Sequence, residues 1–97
     1  MRKIVWLESA ITDVARLRQF ITKKNAEAAK MAAKAIKIAA KNLIETPEIG
    51  KPVQQLLQYR DLLIRFGAGG YVLRYRIVDS TIFIVHIRHY RENNFKS

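Results

Sequence analysis

Tyr59-Arg-Asp-Leu-Leu-Ile-Arg-Phe66, Gly67-Ala-Gly-Gly70, Tyr71-Val-Leu-Arg-Tyr-Arg-Ile-Val78, Asp79-Ser80 and Thr81-Ile-Phe-Ile-Val-His-Ile-Arg-His89 form the stretch that decides the fold. Three runs rich in β-branched and aromatic residues are separated by two short segments of turn-forming residues. The stretch therefore predicts a meander of three antiparallel strands.

The middle strand of this meander has two chemically different faces, because successive side chains of a strand point to opposite sides. One face carries Tyr71, Leu73, Tyr75 and Ile77, and we expect it to pack against helices. The other carries paired arginines, and the last strand and the tail add further basic residues: Arg74, Arg76, His86, Arg88, His89 and Arg91. We look for function on this cationic face.

The residues before the meander predict one strand and two helices. Lys3–Leu7 is a short β-type run, and Ser9 is a candidate N-cap for a helix from about Ser9 to Lys24. Asn25 is the candidate N-cap of a second helix from about Ala26 to Glu45, which ends before Thr46-Pro47 because the residue before proline avoids the α region.

The second helix has two apolar stripes, which indicate contact with two neighbours. One stripe comprises Ala29, Ala33, Ile36, Ala40 and Leu43, and the other Met31, Ala35 and Ile38. Lysines 30, 34, 37 and 41 line one side, and we interpret them as a solvated face rather than a phosphate-binding ridge. The element order is β-α-α-β-β-β, an α+β fold with a helical hairpin on a small sheet, in a single domain covering residues 1–97.

Composition restricts the class of protein and of partner. The chain has 97 residues, no cysteine and a net charge of +10. It lacks an apolar run of the roughly 20 residues that a membrane span needs, and its N-terminus does not resemble a signal peptide. We expect a soluble cytoplasmic protein without membrane association, with a nucleic acid or an acidic protein as partner.

Most catalytic chemistries find no support in the sequence. His86 and His89 are expected on opposite strand faces without an acidic cluster, so we predict no metal site, and no motif indicates a cofactor, a phosphate loop or a nucleophile elbow. General acid–base cleavage of RNA stays open, because His86, His89 and Tyr90 lie close to several arginines. For His86 we favour a packed sheet residue over a catalytic one.

The chain resembles the RelE/ParE superfamily of bacterial toxins from type II toxin–antitoxin systems, and more closely its ParE branch. The resemblance spans nearly the whole chain, on Trp6, Ala10, Asp13, Asn25, Pro47–Val53, Tyr59–Leu62, Gly70–Arg76 and His89–Glu92. It implies a helical hairpin against a small antiparallel sheet and a cognate, acidic, ParD-like antitoxin that wraps the toxin. By the same resemblance, we expect the toxin to form a homo-oligomer or a toxin–antitoxin hetero-oligomer.

The two branches imply different functions, since ParE toxins inhibit DNA gyrase and RelE toxins cleave mRNA in the ribosome. Arg65 and Arg91 match two basic residues of RelE-type enzymes, whereas Val72 and Leu63 are apolar where the resemblance would require cations. We therefore predict a gyrase inhibitor that acts by binding, through Arg65, Arg74, Arg76, Arg88, His89 and Arg91. The alternative is a ribosome-dependent ribonuclease with His89, Arg91 and Arg65 as catalytic residues. A plain nucleic-acid-binding domain would also fit the charge.

Overall fold

The computed structural model describes residues 2–96. Its elements are β1 (Lys3–Trp6), α1 (Glu8–Thr22), α2 (Ala26–Asn42), β2 (Lys51–Val53), β3 (Leu56–Phe66), β4 (Gly69–Val78) and β5 (Thr81–His89). The strands form one five-stranded sheet in the order β1-β5-β4-β3-β2. The two helices form an antiparallel hairpin that contacts the sheet mainly through β5, β3 and β4.

The predicted α+β class, with a helical hairpin on a small sheet, is confirmed, with two differences in the sheet. The loop predicted at 48–53 contains a fifth strand, β2, which pairs with β3 at the sheet edge. The sheet is mixed rather than wholly antiparallel, because β1 pairs with β5 in parallel. The parallel pair is joined by a long connection, since both helices and the strands β2, β3 and β4 lie between β1 and β5, whereas a tight hairpin turn joins only antiparallel strands.

Of the two N-caps predicted from the sequence, the one at Asn25 is confirmed and the one at Ser9 is not. Asn25 caps α2 as predicted, since its side-chain oxygen accepts hydrogen bonds from the amides of Glu27 and Ala28 at 3.0 and 3.1 Å. The predicted cap at Ser9 is wrong: the N-cap of α1 is Leu7, and Ser9 lies inside the helix. The second helix ends at Asn42, before the predicted Glu45, because residues 43–45 form tighter i→i−3 hydrogen bonds.

The predicted register of β4 is confirmed. Tyr71, Leu73 and Tyr75 are at most 2% exposed beneath the helices, while Arg74 and Arg76 are only half-buried. The predicted second stripe of α2 is only partly buried: Ala35 packs against the core, but Met31 and Ile38 are exposed. Neither α1 nor α2, the helices of residues 2–96, is long and apolar enough to span a bilayer.

Candidate functional site

The sheet face that points away from the helices is the candidate site, and we call it the open face. The strand register aligns its side chains in rows across β3, β4 and β5: Tyr59–Arg76–Phe83, Asp61–Arg74–His86 and Leu63–Val72–Arg88, with Arg65 beside Gly70 at the end of β3. A bulge in β5 inserts Val85 between the partners of Arg74 and Tyr75. The open face therefore alternates cationic with apolar side chains rather than presenting a uniform positive surface.

Arg74, predicted to contact the target, already has an acidic partner within the sheet. Its guanidinium donates to both carboxylate oxygens of Asp61 at 2.9 and 3.0 Å, across the β3–β4 pair. Such a two-bond pair fixes the planar group and neutralises much of its charge. Arg74 therefore contributes a flat guanidinium surface more than a free positive charge.

Arg88 is also engaged, here by the chain that follows β5. Its guanidinium donates to the main-chain carbonyl of Glu92, with longer contacts of 3.4 and 3.5 Å to the carbonyls of His89 and Tyr90. The residue thus holds the turn after β5 against the open face.

The other three predicted arginines, Arg65, Arg76 and Arg91, carry the accessible charge. Arg65 and Arg91 are exposed and Arg76 is half-buried. Within residues 2–96, none of the three forms an ion pair. These guanidinium groups are the ones able to bind an external carboxylate or phosphate.

His89 does not lie on the open face, although the sequence grouped it with the cationic residues. It pairs with Tyr71 on the helix-side face, where the two rings meet edge to face at 5.5 Å. Its Nδ1 accepts a hydrogen bond from the Arg91 amide at 3.0 Å, so the proton of a neutral ring lies on Nε2. Arg65, His89 and Arg91 therefore gather at one end of the sheet, but they do not share one surface.

His86 is held by the buried carboxylate of Asp13, whose structural role the sequence analysis did not predict. Asp13, only 3% exposed, lies 2.8 Å from His86 Nδ1 and accepts the Ile87 amide at 2.8 Å. The sequence held one signal for this role. The run that forms β1 is too short to cover all of β5, so some amides at the edge of β5 need side-chain acceptors, and Asp13 lies off the apolar stripe of α1. The packed interpretation of His86 agrees with this contact.

Asp13 belongs to a row of side chains that complete the hydrogen bonds along the edge of β5. Beyond the end of β1, Ser9 donates to the Val85 carbonyl at 2.6 Å, and Glu92 accepts the His89 amide at 2.8 Å. An exposed strand edge would otherwise offer these groups to another strand. The edge of β5 is therefore occupied from within the chain.

Glu92 also anchors the C-terminal tail, defined here as residues 90–96. Arg16 donates to its two oxygens at 2.8 and 3.4 Å, and Lys96 lies 3.7 Å away. Burial by itself raises the pKa of Glu92, but the His89 amide and Arg16, followed by Lys96, outweigh it and hold the pKa below its usual value.

An apolar groove lies on the other side of the molecule, where α1, β1 and α2 meet. It has a volume of about 1040 Å³. Its apolar lining comes from Trp6, Ile11, Val14 and Ala15, and its basic side chains are Arg18, Lys23 and Lys37. No sequence motif marked this groove, because its lining comes from three separate elements. An apolar floor with basic side chains suits an acidic amphipathic segment.

Comparisons with known protein sequences and with solved structures agree on the relatives of this chain. It is 35% identical over 89 residues to toxin RelE2 of Caulobacter vibrioides, covering 92% of this chain and 96% of that toxin. It is 34% identical to toxin RelE3 of the same organism, covering 79% of this chain and 82% of that toxin. Among solved structures, a chain of the chromosomal ParDE system of P. aeruginosa superposes with a TM-score of 0.76 at 20% identity, covering 92% of this chain and 96% of that one.

A second solved relative comes from the RelBE2 toxin–antitoxin complex of Mycobacterium tuberculosis. It superposes with a TM-score of 0.62 at 25% identity, covering 91% of this chain and 96% of that one. The model of the ParE toxin family of type II toxin–antitoxin (parDE) systems matches residues 4–94. The chain is therefore a type II toxin of the RelE/ParE superfamily and belongs to its ParE toxin family.

Proposed function

We propose that this toxin inhibits DNA gyrase by binding it, without catalysis of its own. The observation that carries the proposal is the composition of the open face: Leu63 and Val72 lie opposite each other in its middle, where the ribonuclease branch needs cations. Each positive group that stabilises a phosphorane is worth roughly 10²–10³ in rate. Without cations at these two positions, the open face is poorly suited to RNA cleavage.

The geometry of His89 supports the same choice. In the neutral ring, Nδ1 already accepts the Arg91 amide and Nε2 carries the proton, so neither nitrogen is free to take a proton from a ribose hydroxyl. His89 also faces the helix side, away from Arg65. Both features argue against the ribonuclease alternative, in which His89, Arg91 and Arg65 would be catalytic.

The accessible arginines support a binding role. Arg65, Arg76 and Arg91 lack internal ion pairs within residues 2–96, and a guanidinium group pairs in a planar, two-bond geometry with carboxylates. We expect these three to contribute most of the target contact, and Arg74 and Arg88 to shape the surface. Gyrase acts in the cytoplasm, and we expect the toxin to act there too.

Gyrase inhibition is tested by measuring supercoiling of relaxed plasmid by purified gyrase with added toxin. We expect inhibition by the wild type, a loss of about tenfold in potency for Arg76→Ala, as removal of a charge-assisted hydrogen bond typically gives, and no change for the solvated-face control Lys34→Ala. Translation in a purified ribosomal system serves as the second readout. Cleaved mRNA with unaffected supercoiling would replace the proposal by the ribonuclease alternative.

The cognate partner in this proposal is an acidic antitoxin that occupies the groove of α1, β1 and α2. Solved relatives come from ParDE and RelBE2 toxin–antitoxin systems, and the basic side chains around an apolar floor complement an acidic amphipathic helix. Oligomeric state would then follow from how many antitoxin segments the complex contains.

A charge introduced into the groove tests the antitoxin contact. Ala15→Glu places a carboxylate in the groove, where it repels an acidic segment and competes for the basic side chains, so we expect antitoxin affinity to fall at least tenfold in calorimetric titration. The matched control is Ala26→Glu, the same substitution at an exposed position of α2. Equal affinities for both variants would remove the groove from the antitoxin interface.

A further inference from the structure

The C-terminal tail folds back over the open face and inserts one aromatic ring there. Phe95 stacks on the His86 ring, with centroids 5.6 Å apart and planes at 30°. The guanidinium carbons of Arg74 and Arg88 lie 4.5 and 5.3 Å from the centre of the same ring. We call Arg74, His86 and Arg88 the aromatic cradle.

Two walls of the cradle are held by contacts that do not involve Phe95. Asp61 fixes Arg74 through two hydrogen bonds, and Asp13 holds His86 through Nδ1. The flat surfaces of both side chains would therefore keep their places if the ring moved out. The cradle is a preformed site for an aromatic ring, since guanidinium and imidazole groups both stack on π faces.

A second contact point for the same segment lies three residues earlier in the chain. The Glu92 carboxylate accepts from Arg16 and from the His89 amide, at 2.8 Å each for the shortest contacts. The segment Glu92–Phe95 thus engages two adjacent sites at once, one for a carboxylate and one for an aromatic ring. Its spacing defines what another peptide would need in order to take its place.

We propose that the aromatic cradle, together with Arg16 and the His89 amide, is a peptide-binding site that the chain fills with its own tail. Its external ligand is a segment of a partner protein that carries a carboxylate three residues before an aromatic ring. The choice of a protein partner rests on the proposed function, in which the toxin acts by binding proteins.

The charges of the cradle favour a peptide over a nucleic acid. Arg74 keeps its pairing with Asp61 when the tail leaves, and Arg88 can then donate to a main-chain carbonyl of the incoming peptide as it does to that of Glu92, so the cradle suits a peptide segment better than a row of phosphates. Nucleic-acid affinity comes largely from phosphate neutralisation. An aromatic side chain needs only the surfaces that Phe95 already uses.

The tail competes with such a partner because it is tethered beside the site. A short tether gives an effective concentration on the order of millimolar, so a weak internal contact still reduces external binding. Removal of the Phe95 ring should therefore raise the affinity for a peptide ligand. A cation–π contact of this kind corresponds to a gain of roughly threefold to tenfold.

The test uses the full chain and a fluorescent acidic octapeptide that contains Glu-Asn-Asn-Phe, with binding followed by anisotropy. We expect Phe95→Ala to bind this peptide about threefold to tenfold more tightly than the wild type. The matched control Phe20→Ala removes an exposed ring on α1 and should bind like the wild type. A peptide with alanine in place of its phenylalanine should lose the gain.

Circular dichroism melting checks that the variants fold, and Phe95→Leu, which has no π face, provides a second variant with the same expected direction. Equal peptide affinity for folded Phe95 variants and wild type would overturn the proposal. So would a gain seen only with a labelled single-stranded oligonucleotide, which would make the cradle a base-binding site. The assay contains no gyrase and does not measure toxicity. Its result therefore does not depend on whether gyrase is the target of the toxin.

Discussion

Asp13 offers the sharpest test of how α1 is joined to the sheet. Its carboxylate accepts the Ile87 amide at 2.8 Å, contacts His86 Nδ1 at 2.8 Å, and is only 3% exposed. Asp13→Ala removes this acceptor from a buried amide that no strand of residues 2–96 covers on that side. We therefore expect the substitution to weaken the docking of α1 on the edge of β5.

The magnitude follows from two opposing contributions. A buried amide without an acceptor costs about 1–3 kcal/mol, while alanine's better helix propensity returns at most about 0.7 kcal/mol. His86 is partly solvated, so the loss of its contact adds less. We expect the free energy of unfolding to fall by about 2 kcal/mol. For Asp13→Asn, which keeps one oxygen acceptor for the Ile87 amide, we expect about 1 kcal/mol or less.

Urea unfolding followed by the fluorescence of Trp6, the single tryptophan, measures both values. Thr12→Ala, at an exposed position beside Asp13 on α1, is the matched control, and we expect it to change the stability by less than about 0.5 kcal/mol. If Asp13→Ala loses no more than this control at an unchanged m-value, the edge-capping role of Asp13 is wrong.

Two further predictions concern Gly50, the residue just before β2, and Glu92 in the tail. Gly50→Ala places a Cβ 2.8 Å from the Tyr75 ring and hydroxyl, so we expect a loss of about 1–3 kcal/mol in urea unfolding. Gly69→Ala, with its nearest contact at an ordinary 3.7 Å, should cost much less, and equal losses would contradict the steric argument. Glu92 has a lowered pKa, so its stabilisation is present above the usual carboxylate value of 4.5 and is lost as the pH falls below it. Between pH 7 and acid, the free energy of unfolding of Glu92→Gln should therefore fall less than that of the wild type. The control Glu45→Gln, at an exposed position, should follow the wild type. Identical acid profiles for all three proteins would refute the role of Glu92.

The local pattern of the sequence was enough for both helices, for four of the five strands and for the register of the central strand, but not for β2. Period-two alternation in Tyr71–Val78 assigned the buried and open faces, because a side chain's face in a strand depends only on its position in the alternation. Asn25 marked the start of α2 for an equally local reason, since the cap bonds to amides two and three residues ahead. The family resemblance and the α+β class came from the same linear information.

The functional surface depended on contacts between residues far apart in the chain, and these only the tertiary structure decided. The sequence could place Arg74 on the open face, but not its pairing with Asp61 or the insertion of Phe95 beside it. The bulge at Val85 shifts the alternation along β5 by one residue, so that His86 and Arg88 lie on the open face and His89 on the helix side. Asp13 acts 73 residues away on His86 because α1 happens to cross the edge of β5. The net charge of a sequence depends only on the number of its charged residues. The charge that a surface offers to a partner depends on which of its arginines the fold has already paired.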